Sequence, residues 1–256
     1  MILTDTHAHL YADEFTEDRD EMLQRAFKTG VERIFLPNID PSTTEKMNKL
    51  VASYPDHCFP MMGLHPGSVG ADWEKALEHV REELEKGGYC AVGEIGLDFY
   101  WDTTYAEEQR QAFRQQIDLA KEHELPIVIH VRDSFREAFD IVEEMNTPNL
   151  RGIFHCFTGD LEDAEDIIAL GGFLIGIGGI LTFKNAELDN IVEKIGLDHM
   201  VLETDAPYLA PDPNRGERNE SSYLVHIAER MADVHGTTPK EIAEVTTENS
   251  RELFGV

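Results

Sequence analysis

The sequence predicts an α/β fold in which eight parallel strands close into a single (β/α)8 TIM barrel, with one domain covering residues 1–256. Eight short apolar runs recur along the chain, and nearly every run is followed by a segment with helical periodicity. Such regular alternation is typical of parallel sheets covered by helices. A length of 256 residues suits one barrel, and an open doubly wound sheet is the structural alternative.

The predicted strands are short, apolar and rich in β-branched or aromatic residues, which favours buried strands over helices. In chain order they are ILTDTH, VERIFLP, FPMMGLH, YCAVGEI, PIVIHV, GIFHC, FLIGIG and HMVLETD. The glycines of GGFLIGIGG match neither G-x-G-x-x-G nor the P-loop pattern. Close packing in the seventh strand explains these glycines better than a nucleotide-binding loop does.

The segments between the strands carry helix start and stop signals. Pro239 is suited to the first position of a helix, and Gly87 is placed to end a helix whose apolar stripe begins at Trp73. Four S/T-x-x-E sequences match the capping box that begins a helix, namely Ser42–Glu45, Thr104–Glu107, Ser134–Glu137 and Thr238–Glu241.

The composition is strongly acidic. Asp and Glu number 50 against 22 Lys and Arg, which gives a formal net charge of −28. This charge argues against nucleic-acid binding through a broad basic surface, although a local cationic site or bound divalent ions would remain compatible with it. No apolar run reaches the roughly 18 residues of a membrane span, and the three cysteines form no C-x-x-C pair. We therefore expect a cytoplasmic protein without membrane association, and no obligate protein partner is evident.

Histidines and acids follow the predicted strands at the end where barrel enzymes carry their active sites. The first strand ends in two histidines, the third, fifth and sixth end in one each, and the fourth and eighth end in acids. These residues are His7, His9, His65, Glu94, His130, His155, Glu203 and Asp205. Any single one could be a hydrogen-bonded core residue, but six strands delivering such groups to one rim predict a functional site.

Bound cations would explain this clustering, because buried ionisable groups without partners are costly. The mixed nitrogen and oxygen donors suit Zn²⁺ or Mn²⁺, whereas Mg²⁺ usually prefers fewer nitrogens. We expect two divalent ions, one near His7, His9 and Asp205, and the other near His130 and His155. Glu94 would bridge the two ions, and Asp205 would accept the proton of an attacking water made acidic by the metals.

The motifs as a set resemble the TatD family of metal-dependent deoxyribonucleases, and the resemblance runs along the whole chain. The matching blocks are DTHAHL, GLHP, GEIGLDFY, PIVIHVRD, HCFTG and LETDAPYLAP. The resemblance implies a TIM barrel of the amidohydrolase-like superfamily with a binuclear metal site. The activity usually assigned to the family is exonuclease trimming of single-stranded DNA. The family ligands it implies are His7, His9, Glu94, His130, His155 and Asp205.

Substrate contacts are predicted at four positions. His65 resembles the family residue near the scissile phosphate, or it packs on Pro66. Arg132, Arg215 and Arg218 are the candidates for binding phosphates. Glu203 either supports a ligand or binds an additional ion. Ser221 replaces the proline that often follows R-N-E in the family, so that loop could be less rigid here. The aromatic residues 99–101 either stack on unpaired bases or pack beneath a loop.

Two other classes of function compete with this prediction. An amidohydrolase acting on a small amide, lactone or phosphoester would use the same barrel and the same H-x-H pair. Many such enzymes bridge their metals with a modified lysine, whereas the fourth strand here carries Glu94, which favours the nuclease-like branch. A metal-binding scaffold without turnover is the second alternative, and the complete ligand set argues against it.

Overall fold

The computed structural model describes residues 1–184 and 187–256. Its strands are β1 (Leu3–Asp5), β2 (Val31–Pro37), β3 (Cys58–Met61), β4 (Val92–Asp98), β5 (Ile127–Arg132), β6 (Gly152–Phe154), β7 (Phe173–Ile177) and β8 (Met200–Leu202). Its helices are α1 (Arg19–Thr29), α2 (Thr44–Ser53), α3 (Trp73–Lys86), α4 (Ala106–Glu122), α5 (Phe135–Met145), α6 (Leu161–Ala169), α7 (Leu188–Lys194), α8 (Leu224–His235) and α9 (Pro239–Phe254).

The strands form a closed parallel barrel, which confirms the predicted fold class. Strands β1 to β3 pair in sequence order, as do β4 to β8, and all of these pairs are parallel. Two parallel bridges, Met62–Val92 and Ala8–Ala206, join the two arcs. At the second junction the His9 amide donates to the Ala206 carbonyl at 2.7 Å. The first and last strands therefore lie side by side.

Alternate residues along the strands supply two separate apolar cores, as the period of two in a strand requires. Ile34 and Leu36 belong to the larger core, which packs the strands against the helices, while Phe35 between them belongs to a smaller one. Phe254, from the last helix, stacks on Phe35 with ring centroids 4.0 Å apart. Burying each of these large side chains contributes about 2–3 kcal/mol to stability.

The predicted helix signals are confirmed at some positions and wrong at others. Thr238 accepts a hydrogen bond from the Glu241 amide, Pro239 begins α9, and Gly87 ends α3. The capping boxes predicted at Ser42, Thr104 and Ser134 do not form, because α2 begins after Thr43, α4 begins after Tyr105, and the Ser134 hydroxyl donates to the Leu97 carbonyl.

The capping box that was missed begins α6. Asp160 accepts from the Asp163 amide and the Asp163 side chain accepts from the Asp160 amide. Aspartate at both positions does not match the S/T-x-x-E pattern, although its carboxylate can accept the same two hydrogen bonds.

Several strands are shorter than predicted, which changes where the histidines lie. Strand β1 ends at Asp5, so His7 and His9 belong to the irregular segment that follows the strand. Glu94 lies inside β4, at a register shift between Gly93 and Ile95, and does not end that strand. Among the described residues, no helix has both the length and the apolar character needed to cross a membrane.

Candidate metal centre

Glu94 lies at the centre of the cluster, and its two carboxylate oxygens face two different pairs of histidines. Oε2 is 3.1 Å from His7 Nε2 and 3.4 Å from His9 Nε2. Oε1 is 2.7 Å from His130 Nδ1 and 2.8 Å from His155 Nε2. The structure therefore brings together residues that lie within or just after four strands widely separated in sequence. One carboxylate divides them into two groups.

Asp205 belongs to the group that contains the first two histidines. Its Oδ1 is 3.8 Å from His7 Nε2 and 3.7 Å from His9 Nε2. The Asp205 amide donates to the His7 carbonyl at 2.9 Å across the barrel junction, and the residue adopts a left-handed conformation with φ of 56°. Its side chain is 15% exposed, against 3% for Glu94, so Asp205 faces the open side of the cluster.

Hydrogen bonds outside the cluster fix which ring nitrogens face Glu94. The Tyr11 hydroxyl donates to the Pro37 carbonyl at 2.6 Å and lies 3.1 Å from His9 Nδ1. Since that hydroxyl proton is already used, His9 donates from Nδ1 and keeps the lone pair of Nε2 directed at the cluster.

A second carboxylate does the same for His130. Asp98 Oδ2 lies 3.0 Å from His130 Nε2, which leaves His130 Nδ1 to face Glu94. Carboxylates in this position commonly orient metal-binding histidines and make them more basic. Sequence reasoning did not single out Asp98 or Tyr11. For Asp98 the available signal was its place at the end of β4 within the GEIGLDFY block.

Glu203 lies behind His155. It is fully buried, its Oε1 accepts from the Cys156 amide, and the same oxygen is 3.5 Å from His155 Nδ1. A β-carbon at Gly176 would lie 2.4 Å from Glu203 Oε2, so only glycine fits opposite this carboxylate. This contact supports the prediction that close packing explains the glycines of β7.

The buried charges shift the pKa values of the cluster strongly. Burial raises the pKa of Glu94, but His155, His7 and the other neighbouring imidazoles outweigh burial and hold it well below its ordinary value. Burial lowers the pKa of His155, but Glu94 and Glu203 outweigh it and hold the pKa well above the ordinary value. The carboxylates thus require positive charge beside them, which protons on the imidazoles or bound cations would supply.

The donor atoms fit divalent cations. Three groups of three side chains each place one ligand atom within 4.8 Å of the others, namely His7–His9–Glu94, His65–Glu94–His130 and His7–His155–Glu203. His7 Nδ1 and Glu203 Oε2 are buried without a hydrogen-bond partner among the described residues. A set of imidazole nitrogens and carboxylate oxygens suits Zn²⁺, Mn²⁺ or related ions better than Mg²⁺.

His65 joins the cluster, as the sequence predicted. Its Nε2 is 3.4 Å from Glu94 Oε1, and its Nδ1 accepts a hydrogen bond from the Gly67 amide at 2.9 Å. The ring is about one fifth exposed and borders the opening. It therefore lies where either a substrate or a cation would reach it.

Arg132 and Arg215 are exposed, and within residues 1–184 and 187–256 neither forms a salt bridge. The Arg132 guanidinium lies 3.8 Å from the centroid of the Tyr100 ring, and that of Arg215 lies 4.0 Å from the centroid of Phe183. Aromatic rings therefore hold both guanidinium groups in place while their N–H donors stay available to an anion.

Arg218 lies in a different environment. It forms a bidentate ion pair with Asp18, at 2.7 and 2.8 Å, and its guanidinium packs over the Phe15 ring. Its donors also reach the Glu14 carbonyl. The phosphate contact of Arg218 stays a prediction; in this structure its side chain anchors the loop between β8 and α8.

Ser221 also anchors this loop. Its hydroxyl donates to Asp5 Oδ2 at 2.6 Å, and the same carboxylate accepts from the Thr204 hydroxyl and amide. Burial raises the pKa of Asp5 to about 7. Serine at this position therefore supplies a tether that proline could not, and the doubt about the rigidity of the loop is answered by a buried hydrogen bond.

A closed barrel with four imidazoles and two carboxylates gathered at one end is typical of the class of barrel-type metal-dependent hydrolases. The family model described as TatD related DNase matches residues 4–255, so the chain belongs to the TatD DNase family. The resemblance predicted from the sequence is confirmed.

Similar proteins agree with this assignment. The chain is 39% identical over its full length, and over that of the relative, to the "Uncharacterized metal-dependent hydrolase YabD" of Bacillus subtilis. It is 31% identical to the "3'-5' ssDNA/RNA exonuclease TatD" of a Rahnella species, covering 97% of this chain and 96% of that relative. The crystal structure of YJJV, a TatD homolog from Escherichia coli, matches with a TM-score of 0.92 at 29% identity, over 99% of this chain and 98% of that one.

Proposed function

We propose that this enzyme hydrolyses phosphodiester bonds of nucleic acids, removing nucleotides from the end of a single strand of DNA. The observation that carries this proposal is the central Glu94, whose two oxygens each face a separate pair of histidines. This arrangement offers donor atoms for two divalent cations, and a pair of such cations would suit in-line displacement at phosphorus. The relative from Rahnella that is named an exonuclease extends the candidate substrates to RNA.

The ligand atoms divide into two sets. His7, His9 and Asp205 would hold one divalent ion, His130 and His155 would hold the other, and Glu94 would contact both. When bound, Mg²⁺, Mn²⁺ or Zn²⁺ would supply an acidified water near neutral pH and positive charge for the phosphate oxygens.

Asp205 is the group that accepts the proton of the attacking water. Its carboxylate faces the open side of the cluster, where a substrate would enter. A carboxylate within hydrogen-bond reach of the water can act as its general base. Glu203 orients His155 from behind and does not contact the substrate.

Phosphate binding rests on Arg132 and Arg215, the exposed arginines that stack on aromatic rings. Since the protein carries a net charge of −28, these local cations and the metal ions must attract the substrate against a repulsive background. His65 borders the same opening and is placed to contact the scissile phosphate.

The test is metal reconstitution followed by a substrate screen. Metal-free enzyme is loaded with Mn²⁺, Mg²⁺ or Zn²⁺ and given end-labelled single-stranded DNA, duplex DNA, RNA and small phosphoesters. We expect release of mononucleotides from single strands and loss of turnover by at least 100-fold in Glu94→Gln. The control is Glu74→Gln, which changes an exposed glutamate of α3.

Turnover of small esters without cleavage of any oligonucleotide would instead identify a small-molecule hydrolase. Wild-type rates in Glu94→Gln would remove the cluster from the mechanism. Both results are readable from one gel and one colorimetric assay.

A further inference from the structure

We propose that a small cavity beside the metal centre, walled by Trp101, binds one unpaired nucleobase of the substrate strand. This inference rests on the proposed nuclease function and adds to it the part of the substrate that the site recognises. The cavity has a volume of about 140 Å³ and is lined by Pro66, Gly67, Val69, Asp98, Trp101, Asp102, Tyr105 and Gln109. We call it the base slot.

The walls of the base slot suit a flat heterocycle. Trp101, Tyr105, Pro66 and Val69 present apolar surface, while the polar groups come from Asp98, Asp102 and Gln109. Small-molecule sites commonly combine apolar walls with a few polar groups in this way. Carboxylates among the polar groups would repel a phosphate, so the slot favours a base over the sugar-phosphate chain.

Trp101 is exposed to an unusual degree for its size. Its exposed fraction is 78%, whereas Trp73, which begins α3, is only 7% exposed. Tyr100 is half exposed and meets Trp101 edge to face, with ring centroids 4.7 Å apart. Phe99 packs against the main core and Tyr100 carries the Arg132 guanidinium on its ring, so Trp101 is the aromatic residue of these three with the most surface free for a ligand.

The side chain of Asp98 connects the base slot to the metal centre. Asp98 lines the slot, accepts from the Tyr100 amide through Oδ1, and contacts His130 Nε2 through Oδ2. Gln109 holds the backbone of Asp98 by two further hydrogen bonds. The slot therefore sits at a fixed position relative to the ligands of the second cation.

Charge supports a nucleotide as the occupant. The Arg132 guanidinium stacks on Tyr100 and lies 5.4 Å from the Trp101 ring centroid, and no carboxylate neutralises it among the described residues. A strand with one base in the slot would carry its adjacent phosphate next to this arginine. Because a base held in a duplex cannot turn into the slot, the same geometry selects single strands.

The kinetic test compares Trp101→Ala with Trp101→Phe, which keeps an aromatic surface. On an oligonucleotide of deoxyadenylate we expect KM to rise about tenfold in Trp101→Ala, with kcat little changed, because loss of one stacked base weakens binding by that order. Trp101→Phe should recover most of the affinity. For an oligonucleotide with abasic residues at both ends, the KM of the wild-type enzyme should rise by a similar factor. Combining this oligonucleotide with Trp101→Ala should raise KM no further.

If the increases in KM from the abasic substrate and from Trp101→Ala were additive, the proposal would be overturned. Removing either partner of a single contact already removes the whole contact, so the two effects should not add. Equal KM values for the wild type and Trp101→Ala on the intact oligonucleotide would overturn it as well.

A second measurement needs no turnover. The Trp73→Phe variant leaves Trp101 as the single tryptophan, so its fluorescence reports on the slot. In the presence of chelator, we expect a tetranucleotide of deoxyadenylate to quench this fluorescence saturably and the abasic tetranucleotide not to. Absence of quenching in an enzyme that cleaves DNA would refute the slot alone. Quenching in a protein that cleaves no phosphodiester would refute the proposed function and leave the slot in place.

Discussion

At the scale of single residues, the cluster depends on side chains that lie behind its histidines. Asp98 and Tyr11 each lie within hydrogen-bond distance of the outer nitrogen of a histidine, and Glu203 Oε1 lies 3.5 Å from the outer nitrogen of His155. These contacts select one tautomer and one ring orientation, so the lone pairs are directed before any cation arrives. A sequence can show that histidines follow the strands, but the partners lie on other segments and emerge only from the folded structure.

Replacing Asp98 tests this orienting role. In Asp98→Asn the amide cannot match the carboxylate that holds His130, so we expect the affinity for one of the two cations to fall by about 10- to 100-fold. The measurement is competition for Mn²⁺ or Zn²⁺ against a chromophoric chelator. Asp118→Asn, on the exposed face of α4, is the matched control. Unchanged affinity for both ions in Asp98→Asn would contradict the role.

At the scale of elements, the loop between β8 and α8 is held by ion pairs to the segment around α1. Arg218 pairs with Asp18, and Arg25 of α1 pairs with Glu220 and Asp18. The short sequence RGER thus contains two arginines with different roles, since Arg215 stacks on Phe183 while Arg218 is neutralised. Sequence spacing treated these two arginines alike because the acid that distinguishes them lies far away in the chain.

The ion pair of Arg218 predicts a dependence of stability on pH. Hydrogen bonding by Arg218 holds the pKa of Asp18 far below its ordinary value of 3.8 in the folded state. A depressed pKa stabilises the folded state above pH 4, and this contribution disappears as the pH falls through the folded pKa. Since the folded pKa lies well below pH 3, only part of this contribution is lost at pH 3, and we expect Arg218→Ala to lower the melting temperature somewhat more at pH 7 than at pH 3.

Thermal unfolding at the two pH values measures this difference, with Arg81→Ala as a control for loss of a surface arginine whose contact with Glu122 is longer, at 3.6 Å. Because the pair is partly exposed, its contribution at pH 7 should be about 1 kcal/mol. An equal loss at both pH values would show that packing over Phe15, and not the ion pair, explains the effect.

At the scale of the whole molecule, some of the acidic residues are buried at the candidate site, and the others are spread over the surface. Asp5, Glu94, Glu203 and Asp98 are all less than one tenth exposed and lie at or beneath the cluster. Buried carboxylates are costly unless positive charge accompanies them. The folded protein therefore holds a centre whose charge is balanced only when protons or cations are present.

Cations should consequently stabilise the fold. A ligand that binds only the folded state at 100 times its Kd adds about 2.7 kcal/mol to the free energy of unfolding. We expect Mn²⁺ or Zn²⁺ to raise the melting temperature of the metal-free protein by several degrees, and Glu94→Gln to lose most of that increase. Scanning fluorimetry with and without chelator provides the measurement, and an equal increase in Glu94→Gln would contradict a centre built on this carboxylate.

The barrel and its cluster were predictable because both follow from periodicity. Eight apolar runs identify the strands, and the carboxyl ends of parallel strands meet at one rim, so His130 and Glu94 could be placed together without a structure. The strand limits were less predictable: β1 and β8 have three residues each, since irregular backbone follows them. The left-handed conformation of Asp205 has no signal in the sequence.

The closure of the barrel brings the residues that would hold one cation to the junction between the first and last strands. His7 and His9 stand on one side and Asp205 on the other, and the His9 and Asp205 amides donate across the gap. An ion held by all three residues would link the first and last strands and so oppose local opening of the barrel at this junction. Removing it should therefore speed hydrogen exchange of those two amides well before the amides of β5, and uniform exchange along the barrel would argue against such a link.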